Sequence, residues 1–273
     1  MSDSKTKENR ISLAISGAAG RMGVRLIDLG SQDPSLQIVS AIEAADHSDC
    51  GTDAGLVAGI GEIGVTISDQ FPADVDVLVD FSHPEGAAAA VDYCVEKKRS
   101  LVMATTGLTD STIQKIKQAG NEIAVVWAPS MSLAVNLTMK LVETAGLALK
   151  DHPTGVDVEI IERHHRYKVD APSGTALKFG EIIATTMGQT NHQHGREGMV
   201  GERAQNEIGY HAIRSGDNPG QHTIVLGMLG ETIELNVAAS NRDCYAAGAL
   251  AAARFVVGKP AGVYNMYDVL GLS

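Results

Sequence analysis

Two short stretches of this 273-residue chain carry most of the chemistry its side chains can offer. The first is Glu162-Arg163-His164-His165-Arg166-Tyr167-Lys168, which sets three permanent cations and two histidines side by side. Cations this close repel one another unless an anion or acidic neighbours offset the repulsion. His164 titrates near neutral pH and suits a general acid. Lys168 is a compact cation able to hold a carboxylate or to give up a proton. The run leads into Asp170-Ala171-Pro172-Ser173-Gly174-Thr175, where Ser173 has the character of a helix N-cap. The amides of Gly174 and Thr175 would then form an anion cradle beside the cations. A small substrate bearing carboxylates fits that pairing. The competing reading, a solvated charge run, is weakened by the helix start that follows at once.

The second stretch, Gly17-Ala18-Ala19-Gly20-Arg21-Met22-Gly23, lies between a β-branched run and a helical one. In a dinucleotide-binding turn Gly17 makes the bend, Gly20 lets the backbone approach a pyrophosphate, and Gly23 lets helix and strand pack closely. Glycine spacing alone is a weak signal, since a purely structural turn uses the same residues. Glu43, at the end of the next strand, strengthens it, because a carboxylate there accepts hydrogen bonds from the adenine-ribose hydroxyls. A carboxylate also repels a 2′-phosphate, and the following residue is Ala44 rather than an arginine, so NADH is expected over NADPH. Arg21 could touch the pyrophosphate or, swung outward, restore part of the NADPH binding. No metal is expected: His164 and His165 are neighbours that a strand turns to opposite faces. His192 and His194 offer at most an adventitious site.

These residues need a scaffold, and the hydrophobic rhythm supplies one. Up to about residue 130, apolar runs at Ile11–Ser16, Leu36–Glu43, Asp76–Ser82, Leu101–Thr106 and Ile123–Ala128 alternate with helical stretches at Arg21–Leu29, Glu85–Lys98 and Asp110–Ala119. Continuous apolar strands are buried on both faces, which implies a doubly wound parallel α/β sheet. Beyond Pro129 a helix at Leu133–Lys150, a strand at Val156–His164 and a helix at Gly174–Met187 precede three strands, Ile208–Ser215, Thr223–Met228 and Thr232–Ala238. Strands without intervening helices imply a second, α+β unit with an antiparallel or mixed sheet. The segment 188–198 reads as a mobile loop, and Tyr245–Val257 as a helix that could return to the first unit.

Composition sets the limits. A formal net charge of −11 disfavours nucleic acid and anionic membrane as partners, and 4% aromatic content leaves little for base stacking. Three scattered cysteines form neither a disulfide framework nor a zinc cluster. No apolar run reaches the ~18–20 residues of a membrane span and the first residues lack an apolar signal core, so a cytoplasmic location is expected.

The stretch EIIERHHRYKVDAPSGTAL at 159–177, with GAAGRMG at 17–23, DFSHPEG at 80–86, TTG at 105–107, GERAQNEIGYHAIRSGD at 201–217 and MYDVLGL near the end, resembles the dihydrodipicolinate reductases. The resemblance spans nearly the whole chain. It implies a Rossmann-like cofactor domain of residues 1–132 and 243–273 and a substrate-binding and oligomerisation domain of 133–242. It also implies NAD(P)H-dependent conversion of a hydroxy-tetrahydrodipicolinate to tetrahydrodipicolinate with loss of water, by a homotetramer. By the same resemblance His164 is the proton donor and Lys168 its cationic partner, while His165, Gly174 and Thr175 bind a dicarboxylate. Cofactor contacts fall on Gly17, Ala18, Ala19, Gly20, Arg21 and Met22, on Glu43, on Ala104, Thr105 and Thr106, and on Ala128, Pro129, Ser130 and Met131. The chain departs from the family's usual residues at Ala104, Ser130, Ala134 and Val237. Two rival readings are a dehydrogenase of an aspartate-derived aldehyde and a cofactor-binding relative without turnover.

Overall fold

The structure, a computed structural model, describes residues 10–272. In chain order the first elements are β1 (Ile11–Ser16), α1 (Gly23–Gln32), β2 (Leu36–Ile42), α2 (Ala54–Val57), β3 (Ile67–Ser68), β4 (Val77–Asp80), α3 (Pro84–Lys97), β5 (Ser100–Met103), α4 (Asp110–Ala119) and β6 (Ala124–Trp127). There follow α5 (Leu133–Leu149), β7 (Asp157–His164), α6 (Gly174–Met187), β8 (Asn191–His194), β9 (Glu207–Arg214), β10 (Gln221–Met228) and β11 (Glu231–Ala238). The chain then passes through α7 (Asp243–Val256), β12 (Gly262–Tyr264) and α8 (Met266–Leu270). Two compact units result, one of the residues up to Leu133 together with those from Arg242 onward, the other of Ala134–Asn241. No helix among the described residues is long and apolar enough to cross a membrane.

In the first unit seven strands lie in the order β12-β6-β5-β4-β1-β2-β3, every neighbouring pair parallel. The apolar runs are continuous because successive residues enter different cores. Leu13, Ile15, Val77, Val79, Val102 and Val126 face the cluster built with Leu26 and Ile27 of α1 and the alanines of α7. Ala14, Leu78, Leu101, Met103 and Val125 face the cluster built with α3 and α4. This is the doubly wound sheet that the composition of the strands predicts. Arg25 of α1 donates to both carboxylate oxygens of Asp243, at 2.6 and 3.1 Å, and pins the start of α7.

The second unit holds a five-stranded mixed sheet in the order β11-β10-β7-β9-β8. β7 runs parallel to β9 and antiparallel to β10, which forms a hairpin with β11. The sheet is mixed, as the run of late strands implies, and their spatial order is not their sequence order. The second and third late strands pair with each other, but the first does not pair with the second: β7 lies between β9 and β10. Within the segment expected to be a loop, Asn191–His194 is a strand, parallel to β9. Its polar residues carry no strand signal; the order comes from His192 and His194 stacking on Tyr210, at 5.6 and 5.1 Å between ring centres.

Candidate active site

In the first unit the turn after β1 follows the geometry its glycines require. Gly17 has φ +79°, and a Cβ on it would lie 2.5 Å from the Phe81 carbonyl oxygen. A Cβ on Gly23 would meet the Gly17 and Ala18 carbonyl oxygens at 2.2 and 2.4 Å, so helix and turn touch backbone to backbone. Gly20 is different: its nearest clash is 3.2 Å and it is exposed. The helix begins at Gly23, two residues later than the sequence suggests, and the amides of Arg21 and Met22 donate to no acceptor among the described residues. Unsatisfied amides at a helix start favour an anion.

Gly17, Gly20, Arg21, Met22 and Glu43 share a cleft of about 520 Å³ with Phe81–Pro84 and with Ala104, Thr105 and Thr106. A second cleft of about 760 Å³ continues from Gly17, Glu43, Ser82 and His83 to Asp46, Asp69, Phe71 and Glu85. The carboxylates of Glu43, Asp46, Asp69 and Glu85 line it without any arginine or lysine. Glu43 does not project freely: its Oε2 accepts from the Ala19 amide at 3.0 Å and its Oε1 from its neighbour Ala44 at 3.0 Å. Ala18 is fully buried, and its amide donates to the Ile42 carbonyl. Ala128 and Met131 are buried in the core rather than in either cleft, which leaves Pro129 and Ser130 as the outward part of that segment.

Asp80, at the end of β4, went unassigned in the sequence reading. Fully buried, it accepts from Ser82 Oγ at 2.7 Å and from Thr105 Oγ1 at 2.6 Å. Burial pushes its carboxyl up, against the hydrogen bonds from Thr105, Ser16 and Ser82.

In the second unit the buried face of β7 reads Val158, Ile160, Glu162, His164, so an apolar strand surface turns polar at its end. His164 Nδ1 lies 2.5 Å from Glu162 Oε2. Arg214, opposite His164 on β9, donates to both oxygens of Glu162 at 2.8 and 2.7 Å, and the Ser173 amide donates to Oε1 at 3.1 Å. Burial pushes Glu162 up, yet the hydrogen bonds from Arg214 and His164 hold it below the usual carboxylate range. Burial pushes His164 down, against the pull of Glu162. His222 of β10 is buried edge-on to His164, 5.2 Å between ring centres, and pairs through Nε2 with Ser173 Oγ at 2.8 Å. Burial, aided by His164, drives it down to about 4. Val237, on β11, sits opposite it.

Ser173 caps α6 as expected, its Oγ accepting from the Ala176 amide. Gly174 is exposed, with open space where a Cβ would stand, and Thr175 is half-buried. Lys168 is mostly buried and donates to Asp170 at 2.7 Å. His165 is half-buried and its Nδ1, shielded from solvent, has no partner among the described residues. The cluster is therefore smaller than its sequence: Arg163, Arg166 and Tyr167 face outward. Glu162, Arg214 and His222 are the side chains that sequence reasoning left without a role. Glu162 was within reach, two residues before His164 on a strand, but Arg214 and His222 join through strand register alone.

Comparison with known proteins agrees with both halves. Residues 11–131 match the family profile "Dihydrodipicolinate reductase, N-terminus" and residues 134–270 match "Dihydrodipicolinate reductase, C-terminus". A 4-hydroxy-tetrahydrodipicolinate reductase of Rhodopirellula baltica is 58% identical over 271 residues, covering 96% of this chain and 97% of that protein. Its counterpart in Alkalilimnicola ehrlichii is 45% identical over 266 residues, covering 95% and 98%. In fold the chain is similar to the dipicolinate-bound dihydrodipicolinate reductase of Paenisporosarcina sp. TG-14, with TM-score 0.77 at 23% identity, covering 95% of this chain and 98% of that one.

Proposed function

The chain belongs to the dihydrodipicolinate reductase family, and we propose on that footing which residues perform the reaction and which cofactor it prefers. The enzyme reduces 4-hydroxy-tetrahydrodipicolinate to tetrahydrodipicolinate in lysine and diaminopimelate biosynthesis: one hydride and one proton enter, one water leaves. A nicotinamide dinucleotide, when bound, supplies the hydride. The cradle fits such a group, because Gly20 leaves space where the Arg21 and Met22 amides are unpaired.

In this reading the turn Gly17–Met22 holds the pyrophosphate, Glu43 the adenine ribose, and Ala104–Thr106 the far wall of the first cleft. NADH is preferred, since four carboxylates and no cation line the adenosine side, where a 2′-phosphate would be repelled. In the second unit Lys168, His165 and the open amides of Gly174 and Thr175 bind the two carboxylates of the substrate, and His164 gives the proton. The observation that carries this assignment is the placement of a buried histidine, an ammonium and an open helix N-terminus on one short segment of an acidic protein. Incubating the purified enzyme with NADH or NADPH and the product of a coupled dihydrodipicolinate synthase tests it through loss of nicotinamide absorbance. Cofactor binding without that loss would favour a silent relative.

A homotetramer built through the second unit is part of the same proposal. Its edge strand leaves Ile233 exposed, and the adjoining turn leaves Leu229 82% exposed. Light scattering of the purified protein decides the stoichiometry. A biosynthetic role supports a cytoplasmic location.

A further inference from the structure

We infer that Glu162 and Arg214 are positioning residues for His164: Arg214 holds the Glu162 carboxylate in place, and Glu162 fixes the tautomer so that Nδ1–H faces the carboxylate and Nε2 exchanges the proton, and stabilises the charged ring. The inference rests on reading His164 as the proton donor. It starts from donor arithmetic. The Glu162 side chain is 1% exposed, and Arg214 supplies two hydrogen bonds to it in the fork geometry that suits an ionised carboxylate. An ionised carboxylate only accepts, so at 2.5 Å the Nδ1 of His164 must be the donor. Nε2 is then the nitrogen left to gain or lose a proton. It points toward Gly220, where a Cβ would lie 3.0 Å away, so no side chain from that position covers it.

The charges around the ring show what Glu162 does. Lys168 from the turn after β7 and Arg214 from β9 both disfavour an imidazolium, as does burial. Lys168 is itself engaged by Asp170, whose carbonyl also receives Arg214. His222 from β10 stays neutral at ordinary pH and adds no charge there. Among these groups Glu162 is the one that favours the protonated ring. Its other oxygen takes the Ser173 amide, so the same carboxylate ties the acid to the start of α6.

The test uses the full-length enzyme. Glu162→Gln keeps an acceptor for Nδ1–H but removes the charge. For a general acid the rate falls as the pH rises through its pKa, and loss of a contacting opposite charge lowers that pKa by about one unit or more. The upper limit of the kcat profile should therefore move down by about one pH unit, with turnover above it reduced about tenfold. NADH affinity should be unchanged. Arg214→Met takes away a cation that disfavours the imidazolium, so the limit should not move down, while loss of the fork that holds Glu162 should lower kcat below the limit with NADH affinity unchanged. An unshifted profile in Glu162→Gln, or an Arg214→Met enzyme with unchanged kcat, would overturn the inference. ¹⁵N NMR of the unaltered protein gives an answer that does not depend on the variants folding: the neutral ring should carry its hydrogen on Nδ1, and hydrogen on Nε2 overturns the inference. A fully active His164→Ala enzyme would instead sink the acid assignment itself. An inactive one combined with an unshifted Glu162→Gln profile sinks only the pair.

Discussion

Gly20 and Gly23 offer a test in which one added methyl separates folding from binding. At Gly23 a Cβ would lie 2.2 and 2.4 Å from two backbone oxygens, about 1 Å inside an ordinary carbon–oxygen contact, and neither oxygen can swing away as a side chain could. The turn must shift bodily, and overpacking of this kind costs about 1–3 kcal/mol. In a unit of this size that lowers Tm by about 2–4 °C per kcal/mol. At Gly20 the same methyl meets one oxygen at 3.2 Å, and φ there is not in the left-handed region, so stability should change by no more than about 0.5 kcal/mol. It would project beside the unpaired amides of Arg21 and Met22, which the proposed reading assigns to the pyrophosphate. The expected pattern is crossed: Gly23→Ala melts early even without cofactor, while Gly20→Ala melts normally but binds NADH about tenfold or more weakly, at least about 1.4 kcal/mol. Scanning calorimetry of the cofactor-free variants and titration calorimetry with NADH give the two numbers. A Gly20→Ala protein with native NADH affinity would refute the proposed backbone approach.

Three further outcomes follow from the same geometry. His164→Ala should lose about 10²–10⁴-fold in turnover with little change in NADH affinity, measured by steady-state kinetics and by cofactor titration; normal turnover contradicts the acid role. Glu43→Ala removes a brace on the Ala19 amide as well as the proposed ribose contact, so NADH should weaken more than NADPH and the preference ratio should fall; a constant ratio contradicts the ribose assignment. His222 is a base held down at about 4 in the fold, so the unfolded chain, at about 6.5, binds the proton first on acidification. Its contribution is complete above about pH 6.5 and is lost as the pH falls toward 4, a span of up to about 3 kcal/mol. Denaturant titrations at pH 7 and pH 5 should show a smaller acid loss in His222→Gln than in the native protein, and equal losses would show that His222 does not carry it.

The glycine turn, the alternation of strands and helices and the His164 segment were legible because each is written locally, in spacing and in period. The polar end of β7 was legible too: Val158, Ile160, Glu162 and His164 keep the two-residue period of a buried strand face. Register was not. Arg214 stands fifty residues beyond His164, and its place opposite that histidine depends on a parallel pairing that no local pattern encodes. His222 enters through an antiparallel pairing on the other side of β7. β8 was missed for a related reason, since Asn191-His192-Gln193-His194 has low strand propensity and gains its order from Tyr210. Asp80 lay inside a quoted motif, but a buried acid without a cation is identifiable only once Ser16, Ser82 and Thr105 surround it.

The return of α7 to the first unit sets a timetable for synthesis on the ribosome. Ala246, Ala249, Leu250, Ala252, Ala253 and Val256 complete a core whose other walls, β1, β4 and β5, are made much earlier. Until those alanines emerge, one side of the nascent parallel sheet lacks its cover, whereas Ala134–Asn241 already contains every strand of its own sheet. The later-encoded unit can thus mature first, and a nascent chain stalled before Asp243 would expose sticky valines and leucines to chaperones.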